Sequence, residues 1–468
     1  MDGSWEADYR IDSTRGNVTR RRQHRETRAT RLIRTPYRST SMREIRSMTT
    51  TALPRDRVVA ARTAVFVVFA LAGIAFATWA SRIADAKAGL DLSAGQLGAT
   101  LFAMSAGSML AMPSTGRLAE RFGVVPTIRV GMLVGIVGFG VVGAGVDLAE
   151  SRLVVAVGLF LIGSGVGVWD VAMNLEGASV ERLLGKTVMP QFHAAFSGGT
   201  VLSALIGSGM SWASVPLLPH LLGSALLVTA GGFVAMRAFL PREVEDAEHE
   251  KDRAAEAEAM AEGALAGASA RSAWLEPRTL LIGLVVLVAA FTEGTANDWL
   301  AVAFVEGHDL PTWAGVLAFA TFLSFMTIGR LLGTRWLDTY GRVPVLRATF
   351  VLAVVGSLLV IFGNDWMAFV GAAVWGVGVS LGFPVGLSAS ADDPKRAPAR
   401  MSVVATIGYF AFIAGPPALG FLGDHVGVLR SLLAVGTMAL LVQLILESVR
   451  EPQRVATTAP AEPVHDHG

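Results

Sequence analysis

The chain has no cysteine, so no disulfide framework, cysteine-rich metal site or thiol nucleophile is open to it. It is also poor in charge: Asp, Glu, Lys and Arg make up 16% of 468 residues, against about 25% in soluble globular proteins. A clustered nucleophile, base or metal site at catalytic spacing is missing too, and His465 and His467 fall in a polar C-terminal stretch. Neither enzymatic activity nor a cofactor or metal is therefore expected. The first 57 residues hold no early apolar segment of the kind a cleavable signal peptide requires, so none is expected.

What is abundant is apolar surface. Hydrophobic residues reach 52%, the mean hydropathy is +0.52, and the few charges gather between apolar runs of roughly 20 residues, the length that crosses a hydrocarbon core of about 30 Å. These runs fall near 60–81, 95–115, 125–146, 153–174, 192–213, 219–240, 279–300, 313–333, 345–363, 367–389, 401–422 and 428–447. The composition and the run lengths define an all-α membrane protein of twelve spans, with both termini on one side of the membrane.

The side follows from the basic residues. The loops after spans 2, 4, 6, 8 and 10, with their adjoining helix ends, hold 18 Lys or Arg, whereas the opposite loops hold four, Arg82, Lys87, Arg152 and Arg430. The positive-inside rule then puts both termini in the cytoplasm, as expected for a multi-pass protein of the inner membrane.

Residues 1–57, with fourteen Arg, no Lys and seven acids, cannot bury a core and read as a disordered cytoplasmic tail. Beside a first membrane helix, its run Arg20, Arg21, Arg22, Arg25 and Arg28 suits anionic lipid better than nucleic acid, and no nucleic-acid partner is expected. Residues 58–240 form one six-span half and 279–447 the other. Between them, 241–278 reads as a charged surface helix followed by a flexible tether, and 448–468 as a polar cytoplasmic tail. Six plus six is the layout of transporters built from repeated halves. Small residues are dense in runs such as GIVGFGVVGAG at 135–145 and SGGTVLSALIGSG at 197–209, where they permit close helix packing. Gly382-Phe383-Pro384 and Gly415-Pro416-Pro417 each predict a kink or an unwound turn.

A charged side chain inside a span costs from about 2.5 kcal/mol upward and calls for a partner, a wet cavity or a function. In span 7, Glu293 and Asn297 lie i, i+4 on one helix face, with Asp298 and Trp299 just beyond. Glu293 is the leading candidate for a proton-carrying or solute-binding group, set against a purely structural hydrogen bond between helices. At the ends of spans 4 and 5, Asp170 and Asn174 form a second i, i+4 pair, and Gln191, His193 and Ser197 open span 5. His193 is a side chain able to change charge near neutral pH; this group serves either solute binding or an inner gate. Glu176, Glu181, Arg182 and Lys186 read as solvated loop charges.

The loops after spans 2 and 8 share a skeleton. GRLAERFGVVP at 116–126 and GRLLGTRWLDTYGRVP at 329–344 both place an acid, Glu120 or Asp338, three residues before a glycine, Gly123 or Gly341. Glycine lets the chain turn tightly at a helix end, and the acid can engage helix termini and nearby arginines as a breakable latch. Gly116, Glu120, Arg121 and Gly123, with Asp338, Gly341 and Arg342, make up this candidate latch.

These two loops resemble the signature of the major facilitator superfamily and its echo in the second half. Val124 and Val125 stand where that signature usually has basic residues, and Thr339 where the second copy often has Arg. WASRIADAKAGLDLSAGQLGATLFAMSAGSMLAMPSTGRLAERFG at 79–123, residues 170–199, EGTANDW at 293–299 and GYFAFIAGPPALGFLGD at 408–424 resemble, more narrowly, a bacterial branch near the fucose-permease-type sugar transporters. The resemblance implies a central cavity lined by helices 1, 4, 5, 7, 8, 10 and 11. It adds Arg330 to Asp170, Asn174, His193, Glu293 and Asn297 as candidates. Fucose-type permeases carry an acid within helix 1; span 1 has none between Arg62 and Arg82, which argues against fucose. The expected function is proton-coupled transport of a small polar solute by a monomer, with Glu293 or Asp170 taking the proton and Asn174, Asn297 and Trp299 touching the solute. Efflux of an amphipathic compound and solute sensing without flux are the alternatives.

Overall fold

The computed structural model describes residues 54–244, 273–393 and 396–451. The bulk of the expected N-terminal tail, of the charged linker and of the C-terminal tail lies outside these residues. The described chain is helical. In the first half run α1 (Arg55–Ala80), α2 (Ala94–Phe122), α3 (Val124–Asp147), α4 (Arg152–Leu184), α5 (Met189–Trp212) and α6 (Leu217–Ala235). The second half holds α7 (Pro277–Gly307), α8 (Thr312–Tyr340), α9 (Arg342–Phe362), a broken α10 (Asp365–Val379 and Gly382–Ser390), α11 (Ala397–Val426) and α12 (Val428–Ser431 and Leu433–Leu441). A short helix, Ile83–Gly89, follows α1.

Ten of the described helical stretches are long and apolar enough to cross a membrane by length and composition, and Val428–Leu444 is a shorter apolar one. The remaining element, α5, is diluted by serine, glycine and threonine together with Gln191 and His193. It tolerates this polarity because it packs inside the bundle, on α1 and α8. Thr78 of α1 and Ser203 of α5, both buried, share a hydrogen bond of 3.0 Å between their hydroxyls.

Packing repeats between the halves. Helix α1 packs on α5, α2 and α3 on α4, and α3 on α6; in the second half α7 packs on α11, α8 and α9 on α10, and α9 on α12. The same pairing twice over is the signature of a duplicated six-helix unit. The halves meet along two seams, α2 with α11 and α5 with α8.

The two predicted interruptions behave differently. Helix α10 breaks between Val379 and Gly382, as Pro384 removes the N–H that would bond to Ser380. Helix α11 shows no unwound turn at Gly415-Pro416-Pro417 and stays helical from Ala397 to Val426. The carbonyl of Phe412, deprived of a partner by Pro416, instead accepts the Ser105 hydroxyl of α2 at 2.8 Å. The two latch loops are alike in backbone: Gly123 (φ 93°) and Gly341 (φ 78°) end α2 and α8 by donating to Ala119 and Leu337, and α3 and α9 start on the next residue.

Helix α4 continues about ten residues beyond its predicted end, to Leu184. That extension corrects the reading of Glu176 as a solvated loop charge. Glu176 is buried, and its carboxylate accepts the Leu240 N–H at 2.8 Å. Glu181 caps α5, accepting the N–H groups of Val188 and Met189 at 2.6 and 2.7 Å.

Close packing of α4 on α2 depends on Gly163, where a Cβ would stand 1.9 Å from the Met104 carbonyl oxygen. Gly163→Val is expected to destabilise the protein by about 1–3 kcal/mol. Gly209→Ala, inside α5 with open space around its Cβ position, should not destabilise and should add up to about 1 kcal/mol. Melting of the two purified variants in detergent separates these outcomes.

Candidate functional site

The bonds that join the two halves among the described residues cluster at one end of the bundle. Asp424, near the end of α11, accepts the Ser93 hydroxyl at 3.1 Å and the N–H groups of Ala94 and Gly95, so it caps the start of α2 from the opposite half. A carboxylate there meets both unsatisfied donors and the positive end of the helix dipole. Lys87 pairs with Glu306 across the same gap. One step further in, Gly98 of α2 lies against Pro416 and Gly420 of α11, with a Cβ position 2.4 Å from the Pro416 oxygen. On the second seam, Ser208 of α5 donates to the Trp313 carbonyl at the start of α8 at 2.8 Å. This end is closed.

Toward the other end, polar groups at mid-helix face a shared space. Glu293, halfway along α7, accepts Nη2 of Arg330 from α8 on both carboxylate oxygens, at 2.9 and 3.0 Å. Arg330 keeps about a third of its side-chain surface exposed, so the pair borders open space. Its Nε points to the Ser380 carbonyl at 3.4 Å, the acceptor freed where Pro384 breaks α10. His193 of α5 lies within electrostatic reach of Arg330, and Asp170 of α4 within reach of Tyr409 on α11, itself half-exposed. Asn174 folds back on Asp170, donating to its carbonyl at 2.9 Å and to its carboxylate at 3.5 Å. Two polar groups thus span the halves: Glu293 and Arg330 with His193, and Asp170 and Asn174 with Tyr409.

Two sequence candidates sit apart from that group. Asn297 has a buried side-chain oxygen with no partner among the described residues. Trp299 is fully buried, and its indole N–H has no acceptor among them. The latch residues lie at the open end: Glu120, Arg121 and Asp338 are exposed, Arg121 rests on the Phe122 ring at 5.3 Å, and a Cβ on Gly116 would meet nothing. Arg342 is engaged within its own half, with Asp392 at 2.7 Å and Ser388 at 3.2 Å.

Sequence reasoning did not single out Tyr409 or the Asp424 cap. An aromatic or an acid near a helix end is an ordinary residue in one dimension, and only the approach of α11 to α4 and α2 makes it part of the site. The N-terminal serine of α2, followed three residues later by Gln96, was a legible capping box, and its local bonds are present. What it could not reveal is the anion that reaches it from the other half.

Two six-helix repeats with polar groups at mid-helix have the layout of membrane transporters built from repeated halves. Residues 314–465 match the Major Facilitator Superfamily model. An uncharacterized MFS-type transporter of Yersinia pestis is 30% identical over 393 residues, covering 82% of this chain and 94% of the relative. The solved nucleoside transporter NupG superposes with a TM-score of 0.64 at 12% identity, over 84% of this chain and 98% of its own. A single-substitution variant of the E. coli fucose:proton symporter FucP gives 0.55 at 14% identity, over 84% of this chain and 98% of its own. The chain belongs to the major facilitator superfamily.

Two measurements check the electrostatics of the ends. Replacing Asp424 with alanine removes an anion–helix interaction of about 1 kcal/mol, which should raise the population of molecules open at the closed end several-fold. Since the chain has no cysteine, a cysteine placed at Leu419 can be labelled from that side with an impermeant maleimide, and its rate should rise correspondingly.

At the open end, Glu276 pairs with Arg396 and Arg400 and accepts the Thr279 hydroxyl. Burial alone would raise its pKa, but the Arg400 and Thr279 hydrogen bonds and the two arginine charges outweigh that and hold it below the ordinary glutamate value. The pair therefore contributes fully above the ordinary glutamate range, and its contribution is lost as pH falls through the lowered value. Wild-type melting temperature should fall on acidification more steeply than that of Glu276→Gln.

Proposed function

We propose that this chain is a proton-coupled secondary transporter of a small polar solute, working in the inner membrane with both termini in the cytoplasm. The observation that carries the reading is the Glu293–Arg330 pair at mid-helix, whose arginine keeps about a third of its side-chain surface exposed and lies within electrostatic reach of His193 in the other half. A neutral pair of opposite charges offers hydrogen-bond donors and acceptors together, which suits hydroxyl groups or a zwitterion better than an amphipathic cation. Asp170, Asn174 and His193 supply further polar groups for a bound solute. NupG is a nucleoside transporter and FucP a fucose:proton symporter, which makes hydroxylated solutes the first class to try.

The charge asymmetry of the loops supports placing the open end in the cytoplasm, so the state described here is inward-facing. The exposed latch loops around Glu120 and Asp338 would then clasp as the cytoplasmic end closes and the Asp424 cap lets go.

The test is flux into liposomes that hold a pH dye, with a panel of monosaccharides, nucleosides and amphipathic cations. A polar solute should drive proton entry, and Glu293→Gln should lower the initial rate at least about tenfold, the loss of one charge-assisted interaction of about 1.5–3 kcal/mol. Unchanged flux in the variant would remove Glu293 from the site. Proton movement with the cations alone would favour efflux, and binding without flux would favour a sensor.

A further inference from the structure

Glu293 is already neutralised by Arg330, and Asp170 has a hydrogen-bond donor in Asn174. A third membrane carboxyl has neither property. Asp298 stands five residues beyond Glu293 on α7, about 7.5 Å nearer the closed end. It lines a narrow pocket, with room for about one water molecule, beside Phe291, Gly294, Trp299, Phe412 and Pro416. No hydrogen bond or ion pair reaches it among the described residues. The wall that α11 contributes, from Ala411 through Leu419, carries no titratable side chain. The other charges near α7 are committed elsewhere: Glu293 and Arg330 to each other, Lys87 of the short helix Ile83–Gly89 to Glu306, and Asp424 to the start of α2. Arg430, near the start of α12, is exposed.

An isolated carboxylate in such a pocket is costly, whereas the protonated acid is tolerated. The pocket is also tied to the conformational change. Phe412 and Pro416 form its wall and, through their carbonyls, hold Ser105 and lie against Gly98 of α2. Withdrawing α2 from α11 alters that wall and admits water. We propose that Asp298 is the proton-binding carboxyl of the transport cycle, occupied while the closed end is shut and released to water when that end opens. In the release step the O–H bond of the carboxyl breaks, its electron pair stays on Asp298, and the proton passes to water. The inference rests on the transport reading and moves its proton from the solute site to a separate group next to the seam.

Infrared difference spectroscopy of the full chain in lipid vesicles, stepped in pH without solute, reads this directly. Wild type should show a protonated-carboxyl carbonyl band that vanishes as pH rises. Asp298→Asn should abolish the band, Asp298→Glu should restore it at a shifted frequency, and Glu293→Gln and Asp170→Asn should keep it. Recovery in the glutamate variant separates loss of the carboxyl from loss of the fold. A band that persists in Asp298→Asn, or a wild-type spectrum with no such band, overturns the proposal. The spectra need no cargo, so a failure of the flux panel alongside an intact Asp298 band would count against transport and not against the proton site.

Discussion

Hydrocarbon offers a backbone carbonyl no water, so any acceptor released inside a membrane helix has to be taken up by another part of the protein. Much of this structure turns on that constraint. Pro384 releases Ser380, and the guanidinium that answers it is Arg330, the cation that also holds Glu293. Pro416 releases Phe412, and Ser105 of the opposite half answers it. Prolines that look in sequence like simple breaks thus supply one anchor for the charged pair and one for the seam between the halves.

The same economy governs the closed end. The start of α2 presents unsatisfied N–H groups, which Ser93 and Gln96 meet only in part through the local capping box. Asp424 takes up the rest from the other half. Closure is therefore achieved with a few polar bonds and close backbone contacts, each weak enough to break in a cycle. A large apolar interface would lock the halves together.

How much of this was legible in one dimension divides along physical lines. Apolar run length reported the spans closely, since the bilayer imposes a length, and the recurrence of glycine at 123 and 341 reported the duplicated turns. The end of α4 was misplaced because polar residues such as Glu176 were read as leaving the membrane, when the helix continued and buried that acid against Leu240. The i, i+4 pairs on α4 and α7 were visible from spacing alone. Arg330 was suggested only by family resemblance, because its partner lies 37 positions away in the chain. Asp298 was seen as a neighbour of Glu293, but its isolation is a property of α11, which sequence periodicity does not bring beside it.

The charged pair has an electrical consequence. Glu293 and Arg330 belong to the same half, so any rocking of one half against the other would carry them together, with their charges cancelling. Carrying one uncompensated charge through the membrane potential involves about 2.3 kcal/mol per 100 mV. The empty carrier, as far as this pair is concerned, returns without that work. Voltage dependence in the cycle is then left to the cargo and to whichever carboxyl changes its charge between the two faces of the membrane.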